Sequence, residues 1–264
     1  MPVDMVPARF FDELGRIKPF QRHGQHDPAI QRAPLPPKQA FLPGLFLFNH
    51  AAGYRLPEWE HFMRYYVAAV HKHKSFEKKF SKCFTGEFDA EGKPVPKPGL
   101  LWRMSGWYED SMAHAFLYTV LVLAYEDLDQ SAFVLYDARA DWKFKADFII
   151  TRSTHDAVSG VCVGIQGQNE EDRAKVEAQR DRQERDMKQN TLVSSHWNNQ
   201  TYQTLASVHV SRVDGTPLVK RGFKLFSVDA MERLMVDVDS ALGQPRRAPM
   251  AVESMLAYRP APAP

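Results

Sequence analysis

The stretch KFKADFIITRSTHDAVSGVCVGIQGQ, residues 143–168, decides how this chain is read. KFKADFIIT alternates apolar and polar residues, the period of a half-buried strand. RSTHDAVSG supplies turn residues, and VCVGIQG reads as a second strand. Side chains alternate faces along a strand. Phe144, Ala146, Phe148 and Ile150 therefore form an apolar row, with Lys143, Lys145 and Asp147 opposite. In the partner strand Val161, Val163 and Ile165 are apolar, while Cys162, Gly164, Gln166 and Gln168 share the other face. A turn centred between Asp156 and Ala157 sets Asp147 opposite Gln166 and Lys145 opposite Gln168. Directly opposed residues share a face about 5 Å apart. A carboxylate, a lysine and two amides then converge on one small area. Two readings of that area stand: the wet face of an antiparallel sheet, or a site.

The segments around the hairpin extend the pattern. From Glu170 to Gln189, EEDRAKVEAQRDRQERDMKQ predicts a long helix with almost no apolar stripe. Opposite charges at four-residue spacing, Arg173 with Glu177 and Glu184 with Lys188, support a solvated helix. A helix polar all round can also be a partner surface. Upstream, FVLY (133–136) reads as a short strand. Trp107–Tyr125 reads as a buried helix, with a strand competing for LYTVLVLAY because β-branched residues recur there. Pro57–Phe80 predicts a helix with a basic end, and Phe84–Leu101 a turn or short hairpin. Downstream, LASVHVSRVDGTPLVKRGFKLFS suggests two strands around an Asp-Gly turn. Ser227–Leu242 predicts an amphipathic helix capped by Ser227.

Both ends of the chain are rich in proline, which cannot donate a backbone hydrogen bond. Residues 1–40 are expected to be a Pro-rich arm with one short helix around PARFFDELGRI. Residues 41–243 are expected as a single globular domain, and 244–264 as a flexible tail with room for a short helix near Met250–Tyr258. The 264 residues are 44% hydrophobic and 25% charged, an ordinary globular balance. A net charge of +2 imposes no global basic field, so a nucleic-acid surface must be a local patch. No stretch approaches the roughly 18 apolar residues of a membrane span, and the first residues do not read as a secretory signal. The two cysteines, Cys83 and Cys162, fit a reducing cytosol better than a disulfide scaffold.

The order of elements, with KADFII and VCVGIQGQ in the hairpin, resembles the core of the PD-(D/E)xK nuclease superfamily over residues 105–200. The resemblance implies an α+β fold with an α/β-type core: a central mixed sheet flanked by helices, restriction-endonuclease-like, with an N-terminal helical extension. In that superfamily an Asp starts the second strand and an acid-x-Lys motif lies on the third. Asp147 matches the Asp, and Gln166-Gly167-Gln168 stands where acid-x-Lys belongs. Glu109 corresponds to the acid many members carry on the preceding helix. The resemblance thus implies Asp147 and Glu109 as ligands of Mg²⁺, with Gln166 assisting and Lys145 as a relocated lysine. Such a metal stabilises in-line attack on a phosphodiester. DNA is the implied partner, with Gln168, Arg173, Arg180 and Lys188 as candidate contacts to DNA or to a partner protein or second copy. Gln168 cannot replace the lysine that polarises the attacking water, so an inactive module that works by binding stands beside the Mg²⁺-dependent endodeoxyribonuclease.

Other groupings carry less. His71-Lys72-His73 is not a helical ligand spacing, and His61 lies about three turns from His71. HKHKSFEKKFSK reads as a solvated helix end and HWNNQTYQ (196–203) as a loop. No P-loop, GxSxG, HExxH or Cys-rich zinc motif is present.

Overall fold

The computed structural model describes residues 6–33, 55–72, 76–130, 132–136, 147–153, 158–166, 192–194, 201–243 and 245–260. The chain divides into two compact units. Unit 1 comprises residues 1–11, 116–218 and 224–264, and unit 2 residues 12–115 and 219–223. Helices and small sheets mix throughout, an α+β content as expected.

Unit 1 is built on a five-stranded sheet. Its strands are β3 (Ala132–Leu135), β4 (Phe148–Ser153), β5 (Val158–Gln166), β6 (Leu192–Ser194) and β7 (Thr201–Ser211). The order is β3-β4-β5-β7-β6. β3, β4 and β5 run antiparallel in sequence, β7 lies parallel to β5, and β6 pairs antiparallel with β7. A parallel neighbour needs a crossover connection, and residues 167–200 between β5 and β7 supply its length. The helix predicted over Glu170–Gln189 falls there and lies outside the described residues.

Two expectations about the hairpin change. The ladder pairs Phe148 with Val163 and Ser153 with Val158, two residues away from the predicted register. Val158-Ser159-Gly160 extends the strand instead of turning, because a β-branched residue fits a pleated, half-buried surface. Residues 154–157, between the two strands, lie outside the described residues. A two-residue shift keeps each residue on its predicted face, since the side-chain period is two. Secondly, β4 is buried on both sides: Phe148, Ile149 and Ile150 are fully enclosed and Thr151 is buried. β4 lies inside the sheet between β3 and β5, so the run FII packs like the continuous apolar strand of a doubly covered sheet.

Helix wins over strand for the apolar run before β3. A helix spans Pro98–Val122 and continues as a π-helical turn over Leu123–Leu128. It begins nine residues before the predicted Trp107, with Pro98 at its start, where the missing N–H costs nothing. Phe116–Tyr125 is buried residue by residue, as a helix apolar all round demands. Within unit 1, Tyr118 sets its ring 5.5 Å from Phe148 and its hydroxyl donates to Val134 O.

The amphipathic helix after Ser227 forms over Val228–Ala241 and buries Met231, Leu234, Met235 and Val238, as the spacing predicts. Ser227 Oγ accepts from Ala230 N at 3.0 Å and donates to Asp214 O. Gly215 has φ +76°, and a Cβ there would meet Ser227 Oγ at 2.7 Å. The Asp-Gly turn therefore serves the helix cap. It does not join two paired strands: β8 (Val219–Lys220) pairs with β9 (Phe223–Lys224) around Arg221-Gly222. Ser227→Ala is expected to destabilise unit 1 by about 1–2 kcal/mol, the upper range for a lost cap, measured by urea denaturation. A change below about 0.3 kcal/mol would contradict the cap's role.

The C-terminal segment expected as a flexible tail is anchored over residues 245–260. A short helix spans Val252–Ala257, with Val252 and Met255 fully buried. Val252 N donates to Glu232 Oε1 at 3.2 Å.

In unit 2, the predicted short N-terminal helix forms over Pro7–Arg16, crossing from unit 1, with Leu14 buried. A single turn, Pro28–Gln31, is capped by Asp27, whose carboxylate accepts from Ala29 N and Ile30 N. Arg103 donates to Ile30 O and Ala33 O at 2.7 and 2.8 Å, so a cation meets the carbonyl end of that turn. Gly99 stands so close that a Cβ would lie 2.5 Å from Asp27 Cβ. A further helix spans Trp59–His71, burying Phe62, Tyr66, Val67 and Val70. The predicted hairpin appears as β1 (Phe84–Phe88) against β2 (Pro94–Pro96). Cys83 is a buried free thiol.

Candidate functional site

Asp147 stands immediately before β4. Its Oδ2 accepts a hydrogen bond of 2.7 Å from Ile165 N on β5. A carboxylate accepting a backbone N–H is a charge-assisted bond, shorter and stronger than a neutral one. The predicted closeness of Asp147 to the end of β5 therefore holds, but the pairing is different. The β4–β5 ladder ends at Phe148↔Val163, so Asp147 lies just outside it and is not paired with Gln166. The backbone of Gln166 pairs instead with Ser211 on β7.

The other predicted residues divide by position. Glu109 is half-buried on the Pro98–Val122 helix and belongs to unit 2, whereas Asp147 and Gln166 belong to unit 1. The predicted set is therefore not assembled within one unit. Lys145, Gln168, Arg173, Arg180 and Lys188 lie outside the described residues. Among the described residues, no group of three or more His, Cys, Asp and Glu side chains is placed to hold a metal ion.

The sheet adds a residue that the sequence reading passed over. β5 and β7 run parallel with Gly164 beside His209 and Ile165 beside Val210. His209 is half-buried, and its Nε2 is closed off from solvent. The alternation SVHVS around it was legible as a strand. Its neighbour was not, because nothing in residues 201–211 specifies a parallel partner some forty residues earlier.

Among the described residues of unit 1, the carboxyls of Glu126 and Asp127 are perturbed. Burial pushes the Glu126 carboxyl above the ordinary glutamate range, opposed by the bond its Oε1 accepts from Val134 N at 2.7 Å. Burial likewise raises Asp127. Glu126 caps an N–H of β3, an edge strand, so its first role is to satisfy backbone.

Among the described residues, no helix is long and apolar enough to cross a membrane. No protein-family model matches the chain, and neither a curated protein nor a solved structure matches it.

Proposed function

We propose that this chain is a PD-(D/E)xK nuclease-like protein that acts on DNA through Asp147, with a metal site eroded at the lysine position. The observation that carries this reading is the Asp147 carboxylate held on β5 at Ile165 N, directly before Gln166. The element order of unit 1 supports it. A helix precedes the antiparallel run β3-β4-β5, and β7 returns parallel to β5. Asp147 leads into the second strand of that run, and Gln166 ends the third.

The donor chemistry at Asp147 suits a divalent cation, because a carboxylate oxygen is the hard ligand such ions prefer. A metal held there supplies Lewis-acid stabilisation of an in-line displacement. The chain's own part is to fix the carboxylate: the Ile165 N–H orients it before any ion arrives. Mg²⁺ is the ion the resemblance implies, and Lys145, two residues before Asp147, is the nearest lysine in sequence to replace the missing one.

The expected result is cleavage of plasmid DNA that requires Mg²⁺ or Mn²⁺ and falls to background in Asp147→Ala. Fluorescence anisotropy with a labelled duplex runs alongside it. DNA binding without cleavage under any metal would establish a binding module. Neither binding nor cleavage would overturn the DNA reading.

One observation favours a second reading. Gln166 and Gln168 are both neutral where the resemblance calls for an acid and a lysine. A module that regulates or inhibits by protein–protein contact needs neither charge. It predicts that Asp147→Ala leaves partner binding intact while charge reversals at Arg173, Arg180 and Lys188 abolish it.

A further inference from the structure

We propose that the basic segment after the Trp59–His71 helix, together with the exposed Phe88 ring on β1, is a binding surface for single-stranded nucleic acid. The surface lies in unit 2, shares no residue with the Asp147 site and does not rest on the nuclease reading.

The near-neutral chain divides its charge unevenly. Unit 2 holds seventeen Lys and Arg against eleven Asp and Glu, whereas unit 1 holds seventeen against twenty-one. The local patch that a net charge of +2 demands of any nucleic-acid binder therefore has a place. Within unit 2, residues 71–82, HKHKSFEKKFSK, set five lysines against one acid, Glu77.

A solvated helix end accounts only for the start of this run. The helix stops at His71, with Lys72 as its C-cap, where a cation complements the carbonyl end of the dipole. That effect fades within the last turn, so it does not reach Lys78, Lys79 or Lys82. These stand on a π-helical turn over Phe76–Phe80 and a short helical turn over Ser81–Cys83. Apolar anchors fix both turns, since Phe80, Cys83 and Phe84 are buried. Lys97 braces them, its Nζ donating to Lys82 O at 2.8 Å and its N–H to Cys83 O at 3.0 Å. Burying those anchors leaves Lys72, Lys78, Lys79 and Lys82 exposed on a braced backbone. Among the described residues, none of these four forms an ion pair.

Lysines accept any polyanion; the aromatic ring narrows the class. Phe88 is 61% exposed, although Phe84, four residues earlier on the same strand, is buried. The chain leaves the helix at His71 and comes back to it at Phe88, whose ring lies 6.3 Å from the imidazole at 54°. Residues 72–87 thus close a loop, which brings the lysines and the Phe88 ring into one neighbourhood. Tilted against His71 and not stacked on it, the ring keeps a face open. Lysines take the phosphates, whose neutralisation releases counterions. The ring takes an unpaired base, a contact that every base can make and that a duplex withholds. An anionic membrane is gripped through buried apolar area, which one phenylalanine supplies poorly.

The test is fluorescence anisotropy of the full-length chain in EDTA, which removes metal-dependent cleavage. The probes are a labelled oligothymidine of about 20 nucleotides, longer than a typical single-strand site, and a duplex of equal length. The single strand is expected to bind more tightly. Lys78→Gln with Lys79→Gln should flatten the plot of log affinity against log salt by about 1.4, at roughly 0.7 per phosphate contact. Phe88→Ala should weaken single-strand binding about tenfold, within the range for one base stack, and leave the salt slope unchanged. All three side chains are exposed, so urea midpoints should match the native chain and a fall in affinity reads the surface. No binding of the single strand, or affinity and slope unchanged in these variants, would overturn the proposal. So would equal binding of strand and duplex that ignores Phe88→Ala, or preferential binding of anionic lipid vesicles through the same lysines. Asp147→Ala separates this surface from the nuclease reading. Single-strand binding that survives Asp147→Ala and fails in the lysine variant sustains the surface, even where no metal supports cleavage. Cleavage lost in Asp147→Ala, with oligonucleotide binding indifferent to the three surface substitutions, removes the surface and leaves the nuclease reading.

Discussion

Arg152→Ala is expected to destabilise unit 1 by about 3–5 kcal/mol, because it strips the partner from a buried charge. Arg152 Nη2 lies 2.8 Å from Asp129 Oδ2, with the Asp129 side chain fully enclosed and Arg152 only 11% exposed. An exposed pair of this kind contributes about 1 kcal/mol or less. Here the enclosed carboxylate loses its charged partner. The same carboxylate accepts from Arg247 N through Oδ1 at 2.7 Å. Asp129 thereby ties three segments together: the end of the π-helical turn, strand β4 and the C-terminal segment. Arg246 adds to the tie, with Nε 3.1 Å from Asp239 Oδ2 and its guanidinium over the Tyr125 ring. The expected signature is therefore local as well as global. Beyond a lower denaturation midpoint, the Arg247 amide should exchange its hydrogen faster in Arg152→Ala. Asp129→Asn and the double variant complete a cycle that isolates the pair's coupling. A cost below about 1 kcal/mol would place this pair among exposed ones and contradict its burial.

How much of this was legible in the sequence depends on the range of the interaction. Ser227 announced its helix because a cap acts over three residues. The apolar run Phe116–Tyr125 announced burial, since composition alone makes a helix that is apolar all round hide every face. The hairpin was legible as a hairpin, but its register was not. Turn residues Ser153–Gly160 admit more than one centre, and only the pairing of Val158 with Ser153 settles it. The site was harder still. Asp147 could be singled out by its place at the head of an apolar strand. The place of His209 beside Gly164 could not be read, because it exists only through the parallel β5–β7 pairing. Long-range parallel pairing leaves no local mark on either strand. Arg152 was missed for a related reason: it looked like the first turn residue, yet it pairs with Ala132 on one side and Ser159 on the other.

Tyr108→Ala is expected to cost unit 2 about 3–5 kcal/mol, the range for removing a large buried aromatic. Tyr108 is 2% exposed, and burial pushes its hydroxyl well above the ordinary tyrosine range. Its ring lies 4.9 Å from Phe62, 5.5 Å from Phe223, 5.6 Å from Trp59 and 6.2 Å from Phe20. Those four rings come from three other stretches of chain: the segment after the first helix, the Trp59–His71 helix and the β8–β9 hairpin. Tilted and edge-on pairs add about 0.5–1.5 kcal/mol each beyond area burial. The hydroxyl adds a directional link, donating to Pro57 O at 2.6 Å. Tyr108→Phe separates the two contributions. It keeps the ring contacts and leaves the buried Pro57 carbonyl without that donor, at about 1–3 kcal/mol. The alanine variant should exceed the phenylalanine variant clearly, because ring packing outweighs a single hydrogen bond here. Trp59 packs on Tyr108, so its fluorescence should report the loss of order in both variants and shift further in Tyr108→Ala. Equal costs for the two variants would mean that the hydrogen bond, not the aromatic cluster, holds the Pro57–Trp59 corner against the Pro98–Val122 helix.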